Sequence, residues 1–426
     1  MTVETRETDD TRSTRAPRAA PGVVLVSSMG RPTLVPLRLD AESVIGRPSF
    51  AGALEGDDRV SRRHVRVTPS LAVEDLGSRN GTAVNGARVQ RRQCVPGDVI
   101  RIGHSLLLLV GDVTPFEAPA PMEVEGAIVG PSSRRAWDAI LAAGRADGGL
   151  LLLGESGCGK EVAARAFHRA TGRSGSLVAV NCAAIPAALA ERLLFGTRKG
   201  AYSGADADAE GYVQAASGGT LFLDEIAELD AQVQAKLLRV VETKEVLALG
   251  AAKARAVDVR VCAATHEDLR ARVADKGFRQ DLYYRIGRPE VRLPPLRERK
   301  EEIPWLIEHA TRGAGGRVHV SFVEACMCRE WPGNIRELLS ETRRAADLAR
   351  AAGAADVGRQ HLDAAAGAPL RTSAPAARSA SPIATPDDAA IARALEAAGG
   401  NVTRAARELG MHRTQLRRWL EKNRGA

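Results

Sequence analysis

A glycine-rich loop that ends in a lysine has the clearest chemistry in this sequence. Residues 154–160 read GESGCGK, which fits the spacing G-x-x-x-x-G-K, with an apolar run before them and a helix-forming segment after them. Glycines let backbone N–H groups approach phosphates, a helix N-terminus favours negative charge, and the lysine reaches the terminal phosphates. The loop therefore predicts a nucleotide site, and a chance glycine-rich turn is the alternative. The candidate residues are Gly154, Glu155, Ser156, Gly157, Cys158, Gly159, Lys160 and Glu161, the last standing where a Ser or Thr is usual.

An acidic pair supplies the second half of this chemistry. In GGTLFLDEI an apolar run leads to Asp224 and Glu225, which places them at the carboxyl end of a predicted strand. Ligands bind at that edge of open α/β sheets. Asp224 can hold magnesium, directly or through water, and Glu225 can orient or deprotonate an attacking water. The alternative is that the pair caps the next helix; together with the glycine-rich loop, the pair favours ATP hydrolysis.

Two arginines in FRQDLYYR, Arg279 and Arg285, are further candidates. On a helix their offset corresponds to about 240° of rotation, so the two side chains cannot point the same way. They are either solvated surface residues or groups that reach a nucleotide on a neighbouring subunit. Spacing alone leaves both interpretations open.

The elements around these residues predict several domains. Apolar runs such as GLLLLG, LVAVN, TLFLDE and VDVRVCAAT alternate with helical segments, which indicates a parallel α/β core, and the residues that follow read mainly as helix. Short apolar stretches separated by turns from residue 22 to 112 predict an all-β sandwich. The polar residues 1–21 predict a disordered tail, and linkers are expected at 113–125 and 368–386.

Composition excludes several classes of protein. The chain has 426 residues and a formal charge of +8, which permits a nucleic-acid partner without requiring one. No apolar run approaches the length of a membrane span, and the polar, mixed-charge N-terminus is unlike a signal peptide. The six cysteines are scattered and fit neither a disulfide framework nor a zinc site, so we expect a reducing cytoplasm.

The C-terminal segment NVTRAARELGMHRTQLRRWLEK predicts two helices around a turn at Gly410, the helix-turn-helix pattern. A basic amphipathic helix is often only a solvated face, but the turn spacing favours DNA binding. The candidates for contact with a groove or with phosphates are Arg413, Thr414, Arg417 and Arg418.

Three loop clusters occur in order in the predicted sandwich: Gly46-Arg47, SRRH at 61–64, and SRNGTAVNG at 78–86. Asn-Gly pairs make hairpin turns and exposed arginines are common, so each cluster alone has an ordinary explanation. An arginine, a serine hydroxyl and asparagine amides can also converge on one phosphate group.

The ordered motifs GESGCGKE, LFGTRKGAYSGA, GGTLFLDEI, FRQDLYYR, LPPLRER and WPGNIREL resemble the central AAA+ domain of bacterial sigma-54-dependent transcriptional activators, over about residues 126–367. The resemblance implies an ATP-hydrolysing ring, typically a hexamer, with ATP between subunits. It makes Lys160 the Walker A lysine and makes Asp224 and Glu225 the Walker B pair. By the same matching, Asn181 holds the catalytic glutamate, Thr265 and His266 lie at sensor 1, Arg279 and Arg285 are arginine fingers, and Arg336 is sensor 2.

The segment GAYSGA resembles the GAFTGA loop with which this family contacts sigma-54. The matching residues are Gly200, Ala201, Tyr202, Ser203, Gly204 and Ala205. An aromatic residue between flanking glycines suits a mobile contact, while a buried core aromatic is the alternative. The acidic stretch that follows, with Asp206, Asp208 and Glu210, departs from the basic residue usual in the family.

The two ends resemble known domains as well. Residues 22–112 are similar to a forkhead-associated (FHA) domain, a family that binds phosphothreonine peptides, which implies a site formed by Arg47, Ser61, Arg62 and Asn80 with Asn85 beside it. His64 is expected to brace the loop. Residues 387–426 resemble the Fis-type helix-turn-helix domain that ends most sigma-54 activators.

The sequence therefore predicts a multidomain protein: an FHA β-sandwich (22–112), an α/β AAA+ core (126–303), a helical lid (304–367) and an all-α DNA-binding domain (387–426). The predicted function is activation of sigma-54 RNA polymerase at promoters, driven by ATP with Mg²⁺ and regulated by phosphothreonine recognition. Its expected partners are the polymerase holoenzyme, upstream DNA, a phosphothreonine protein or Ser/Thr kinase, and further copies of the chain. The alternatives are a remodeller of another DNA-bound complex and a non-enzymatic phospho-dependent DNA-binding regulator.

Overall fold

The computed structural model describes residues 20–118, 121–201, 206–312, 317–369 and 388–409, together with Leu416 and Leu420. The chain folds into two compact units, Met1–Pro369 and Leu370–Ala426. Within the described residues, no helix is both long enough and apolar enough to cross a membrane.

The N-terminal part is a sandwich of two antiparallel sheets. The first sheet has the strand order β2-β1-β10-β9-β6-β7, and the second has the order β3-β4-β5-β8. Apolar side chains such as Leu25, Ile45, Val65 and Ile100 fill the space between the sheets. The strands are β1 Gly22–Ser28, β2 Arg31–Arg38, β3 Ser43–Ile45, β4 Val65–Val67, β5 Ala72–Asp75, β6 Thr82–Val84, β7 Ala87–Val89, β8 Arg91–Gln93, β9 Val99–Ile102 and β10 Ser105–Val110.

Strand β10, with the sequence SLLLLV, is buried along its whole length. Successive side chains of a strand point to opposite faces of its sheet. Leu107 and Leu109 accordingly lie in the sandwich core, whereas Leu106, Leu108 and Val110 belong to a second core shared with the helices after residue 302. The unbroken apolar run is therefore explained by burial on both faces.

The central part is an α/β domain with five parallel strands in the order β14-β15-β18-β13-β19. The carboxyl ends of β13, β14, β15 and β18 meet at one edge of this sheet, and helices cover its faces. The elements are β11 Met122–Val124, β12 Ala127–Val129, α1 Pro131–Arg145, β13 Leu150–Leu153, α2 Lys160–Ala170, β14 Leu177–Asn181, α3 Ala187–Phe195, α4 Tyr212–Ala215, β15 Thr220–Asp224, α5 Ala231–Thr243, β16 Glu245–Val246, β17 Arg255–Ala256, β18 Arg260–Thr265, α6 Leu269–Ala274, α7 Gln280–Ile286 and β19 Glu290–Arg292.

The predicted helical lid follows the α/β domain. It contains α8 Ile303–Thr311, α9 Val320–Met327 and α10 Asn334–Ala351. A short parallel pair that the sequence did not predict, β20 Arg317–Val318 with β21 Asp356–Val357, joins the start of α9 to the end of α10. The three helices share one apolar core around Phe322, Trp331 and Leu338.

The second unit contains α11 Asp388–Ala397 and α12 Val402–Glu408. The Asn401 side chain caps α12 by accepting hydrogen bonds from the backbone N–H groups of Thr403 and Arg404. Ile391, Ala405 and Leu416 form its small apolar core. The predicted DNA-contacting residues Arg413, Thr414, Arg417 and Arg418 lie outside the described residues.

Candidate active site and phosphate-recognition loops

The glycine-rich loop connects β13 to α2, as its sequence context predicts. Gly157 and Gly159 have φ angles of +75° and +108°, which L side chains rarely adopt. A Cβ atom at Gly157 would also lie 2.2 Å from the carbonyl oxygen of Gly333, so the loop requires glycine at this position. Lys160 begins α2 and is 6% exposed, and its Nζ donates to the Gly154 carbonyl oxygen at 3.0 Å.

The acidic pair lies beside this lysine. Glu225 follows β15 with a left-handed φ of +52° and accepts hydrogen bonds from Lys160 Nζ at 3.1 Å and His266 Nδ1 at 2.7 Å. Burial raises the pKa of Glu225, but the hydrogen bonds from His266 and Lys160 outweigh it and the net pKa is lowered. Burial raises the pKa of Asp224 against the opposing charge of Lys160. Neither carboxylate caps the following turn, so the capping alternative is wrong.

Three further residues, Asn181, Thr265 and His266, are expected near Glu225, and only His266 contacts it. Asn181 lies at the cavity, but its Oδ1 accepts from the Ala183 N–H, and Lys160 and His266 are the side chains that hold Glu225. The predicted contact between Asn181 and Glu225 is therefore not formed in this conformation. Thr265 is fully buried and caps its own turn by accepting from the Glu267 N–H. Of the two sensor 1 candidates, only His266 contacts Glu225.

A cavity of about 380 Å³ opens in front of the loop, between the α/β domain and the lid. Its polar lining includes Lys160, Asp224, Glu225 and the loop itself. Its apolar lining consists of Ile128, Val162, Leu306, Ile335 and Leu339, and His309 lies in the lining as well. Within the described structure, His309 Nδ1 is buried without a hydrogen-bond partner. A lining that combines these polar groups with apolar side chains fits a nucleotide.

The segment between β19 and α8, together with the start of α10 in the lid, also braces the loop. Arg297 binds the Glu155 carboxylate in a bidentate manner at 2.7 and 2.9 Å, which lowers the pKa of Glu155. Asn334 Nδ2 donates to Glu155 Oε2 and to the Ser156 carbonyl oxygen at 3.1 and 3.0 Å. Arg336 Nη1 lies 3.5 Å from Ser156 Oγ, which places this residue beside the loop as its sensor 2 assignment requires.

Arg299 makes the deepest of these contacts. The side chain is 1% exposed, and it donates to the Cys158 carbonyl oxygen at 2.7 Å and to Glu302 Oε2 at 3.2 Å. The other oxygen of Glu302 accepts from Gly130 N at 2.8 Å and from Ser133 Oγ at 2.5 Å. A buried ion pair thus joins the phosphate loop to the start of α1. Sequence reasoning assigned no role to Arg297, Arg299, Asn334 or His309, although the first three lie in the quoted motifs LPPLRER and WPGNIREL.

Arg279 and Arg285 do not line the nucleotide cavity of their own chain. Arg279 precedes α7 with an extended backbone and pairs with Asp281, so treating both arginines as residues of one helix was wrong. Arg285 lies in the last turn of α7, at a second cavity of about 570 Å³. Other basic side chains line that cavity: Arg173, Lys244, Arg260 and Arg288.

The segment that carries GAYSGA is closed at its base. Thr197 exchanges two backbone hydrogen bonds with Ala209, both at 2.9 Å, and Asp208 pairs with Arg198 and accepts from the Lys199 N–H. Gly200 has a φ of +80°. Asp208, one of the acidic departures from the family pattern, therefore fastens the base of the loop. Tyr202, Ser203, Gly204 and Ala205 lie outside the described residues.

The phosphate-recognition candidates of the sandwich meet at the loops after β3, before β4 and after β5. Arg47 donates from Nε to the Val60 carbonyl oxygen at 3.1 Å, Ser61 Oγ accepts from the Arg79 N–H, and Asn80 Nδ2 donates to the Arg59 carbonyl oxygen at 2.8 Å. These bonds hold residues 58–61 in one shape while the Arg62 side chain remains exposed.

His64 and Asn85 support this surface from inside. His64 Nδ1 accepts from the Ser61 N–H at 3.0 Å, so its Nε2 is the nitrogen that donates to the Gly81 carbonyl oxygen. Burial lowers the pKa of His64, which favours this neutral form. Asn85 uses both ends of its amide on Asp98 and on the Val99 N–H, which leaves it a less direct candidate for the ligand.

A magnesium ion bound with ATP takes oxygen ligands, mostly phosphates and water with one or two carboxylates. Asp224, which lines the cavity beside Lys160 and Glu225, fits that requirement. The Glu161 carboxylate is exposed and pairs with Arg165 instead. Among the described residues, no cluster of three or more His, Cys, Asp or Glu side chains could hold a metal without the nucleotide.

Fold and site define a sigma-54-dependent transcriptional regulator, and the chain belongs to that family. Family models match the sigma-54 interaction domain over residues 129–292, the FHA domain over 43–103 and the Fis family of bacterial regulatory proteins over 387–422. The central part is thus an AAA+ ATPase domain. Along the sequence, this domain is preceded by an FHA domain and followed by a Fis-type helix-turn-helix region.

Particular relatives agree with this assignment. The transcriptional regulatory protein ZraR of Salmonella typhimurium is 39% identical over 313 residues, which cover 71% of this chain and 70% of ZraR. The hydrogenase transcriptional regulatory protein HoxA of Bradyrhizobium diazoefficiens is 41% identical over 287 residues, 64% of this chain and 59% of HoxA. The crystal structure of NtrX from Brucella abortus in complex with ATP superposes with a TM-score of 0.51 at 28% identity, and covers 68% of this chain and 67% of NtrX.

Proposed function

We propose that this protein hydrolyses ATP at the interface between subunits of a ring, and uses the energy to remodel sigma-54 RNA polymerase bound at a promoter. The observation that carries the proposal is the contact of Lys160 and His266 with Glu225 in a cavity lined by the glycine-rich loop and the lid. The family membership supports the choice of partner.

In this proposal each group has a task. Lys160 binds the terminal phosphates of the nucleotide. Because the phosphates and Glu225 compete for the same ammonium group, Lys160 releases Glu225 when the nucleotide binds. Glu225, whose pKa is lowered, is ionised at neutral pH and can accept a proton from an attacking water. Asp224 would hold magnesium, which neutralises phosphate charge when it is bound. Arg336 closes the site from the lid.

Arg279 and Arg285 act on the neighbouring subunit in this proposal. Both lie away from the cavity of their own chain, so they can complete a site only when chains assemble. The proposed assembly is a hexameric ring. The GAYSGA loop, with Tyr202 as its aromatic contact, transmits the hydrolysis step to sigma-54, and the Fis-type region with Arg413, Thr414, Arg417 and Arg418 tethers the ring to upstream DNA.

The FHA domain is proposed to bind a phosphothreonine-containing protein through Arg47, Ser61, Arg62 and Asn80. The hydrogen bonds that shape residues 58–61 leave exposed Arg62 and half-buried Arg47 at one surface, where two cations can bind one phosphate. The Arg47→Ala variant is expected to lose preference for a phosphothreonine peptide over its unphosphorylated form, as measured by fluorescence polarisation.

The deciding experiment is promoter opening by purified sigma-54 holoenzyme. We expect open complexes with hydrolysable ATP and none with a non-hydrolysable analogue, or with Lys160→Ala. The Tyr202→Ala variant is expected to hydrolyse ATP yet open no promoter. If the wild type turns over ATP but never opens a sigma-54 promoter, another DNA-bound complex is the client. If it hydrolyses no ATP, the non-enzymatic regulator is the better description.

A further inference from the structure

The outer face of the six-stranded FHA sheet is covered by the lid of the ATPase. Val26, Val99 and Leu106 of the sheet lie in one apolar core with Ile307 of α8 and Phe322 of α9. Gly30 approaches so closely that a Cβ atom there would lie 2.3 Å from the Val318 carbonyl oxygen. Most interfaces between domains of one chain are more polar and permit relative motion, whereas here the two domains share one apolar core.

Polar contacts fix the register of this interface. Arg101 Nε of β9 binds Glu324 Oε2 of α9 at 2.8 Å, where the Glu324 side chain is 8% exposed. Lys300, at the base of the lid, donates to the Gly97 carbonyl oxygen at 2.9 Å. A carboxylate buried this far is stable only with its cationic partner in place, so the ion pair favours one docked position over others.

The phosphate-recognition loop is bonded to the same interface. Asp57 is fully buried; one carboxylate oxygen accepts from the Arg59 N–H, and the other accepts from the His104 N–H at 2.7 Å and Ser105 Oγ at 2.8 Å. The His104 ring meets His319, the N-cap residue of α9, edge to face with centroids 5.8 Å apart. Arg59 in turn accepts the hydrogen bond from Asn80. Hydrogen bonds to Asp57 and one edge-to-face ring contact therefore connect the proposed phosphate-binding residues to the lid.

The lid completes the path to the nucleotide. Leu306 and His309 of α8 and Ile335 and Arg336 of α10 line the nucleotide cavity, and the same two helices pack in the core that receives the FHA sheet. A nucleotide that contacts both the phosphate loop and the lid selects one orientation of the lid. Because the FHA domain is packed on the lid, it must follow that orientation.

We propose that the FHA domain is a fixed extension of the AAA+ lid, and that phosphothreonine binding is thermodynamically coupled to nucleotide binding through the Asp57–His104–His319 contacts. The coupling rests on the proposed phosphothreonine recognition. Linkage makes it reciprocal: a nucleotide must change the affinity for the phosphopeptide by the same factor as the phosphopeptide changes the affinity for the nucleotide.

The test measures both affinities on the full chain. The probes are a non-hydrolysable ATP analogue and a dye-labelled pool of short peptides with one central phosphothreonine; the same pool with threonine is the control. We expect the analogue to change the phosphopeptide Kd by at least about fivefold, and the phosphopeptide to change the analogue Kd by the same factor. Equal phosphopeptide Kd values with and without the analogue would overturn the inference.

Variants locate the coupling. His104→Ala and Arg101→Ala are expected to bring the factor towards one while each ligand alone still binds. Arg91→Ala, the same change on exposed strand β8 of the other sheet, is the matched control and should keep the wild-type factor. If Arg101→Ala does not fold, Glu324→Gln removes the charge and retains an acceptor. An unchanged factor in both His104→Ala and the ion-pair variant contradicts the proposed path.

The outcomes separate this inference from the function on which it rests. If the phosphorylated and unphosphorylated pools bind alike, or Arg47→Ala binds as the wild type does, phosphothreonine recognition itself is refuted. If binding depends on the phosphate and on Arg47 but the coupling factor is one, recognition stands and only the fixed connection to the lid is lost.

Discussion

Replacing Arg299 with methionine tests whether a buried ion pair holds the phosphate loop in place. The change keeps an unbranched apolar side chain but removes the donor to the Cys158 carbonyl oxygen and leaves Glu302, which is fully buried, without its cation. Removing one partner of such a pair costs about 3–5 kcal/mol. An unfolding entropy of about 2.1 cal/mol/K per residue means that, for the unit Met1–Pro369, each kcal/mol lowers the melting temperature by about 1.3 °C. We therefore expect a decrease of roughly 4–7 °C.

The assay is thermal unfolding followed by circular dichroism, with and without ATP. The control is Arg297→Met, because the Arg297–Glu155 pair is part-exposed and its loss should cost below about 1 kcal/mol. The double variant Arg299→Met/Glu302→Gln removes both charges and should recover much of the lost stability. The reasoning is refuted if Arg299→Met melts with the wild type, or if the double variant melts no higher than Arg299→Met.

Three further outcomes follow from the site. Burial and the charge of Glu302 raise the pKa of Glu301 from 4.5 to about 7; the pKa of Glu301 is therefore higher in the folded than in the unfolded chain. The stabilisation that protonated Glu301 provides is fully present below pH 4.5 and is lost as the pH rises to about 7. Glu301→Gln should therefore flatten the decline in urea-unfolding free energy across that window, and an unchanged slope would contradict it. Glu225→Gln should bind ATP but hydrolyse it at least about a hundredfold more slowly, since it cannot accept a proton; phosphate release and nucleotide binding distinguish this from a folding defect. His309→Phe should weaken ATP binding by roughly tenfold and reduce discrimination against GTP, because the side chain lines the cavity and its Nδ1 has no hydrogen-bond partner within the described structure. If the ratio of the ATP Kd to the GTP Kd is the same in the variant and the wild type, a role of His309 in base recognition is refuted.

The positions of the site residues were predictable where they depend on residues adjacent in the chain. The spacing of Gly154 to Lys160, and the acidic pair at a strand end, places Lys160, Asp224 and Glu225 correctly because strand, loop and helix are continuous there. The fold class was predictable for the same reason, because strands that alternate with helices along the chain form a parallel sheet covered by helices.

The supports of the site were not predictable from spacing. Arg297 and Arg299, between β19 and α8, and His309 of the lid reach the loop or its cavity only in the folded protein. No local pattern in the sequence encodes that approach. Asn181 shows that a correctly predicted position does not determine the contact. It lies at the end of β14 as expected, but its amide oxygen accepts from the Ala183 N–H, and His266 contacts Glu225 instead. Which nearby group an amide side chain bonds depends on atomic distances that motif matching does not supply.

The double burial of β10 has a consequence for how this protein can be divided. Cutting the chain between the sandwich and the ATPase would release a module whose exterior carries Val24, Leu106, Leu108 and Val110 without their cover. An apolar stripe of that kind promotes self-association in water. The FHA domain can therefore be fused to another enzyme only together with the helices that cover this apolar surface.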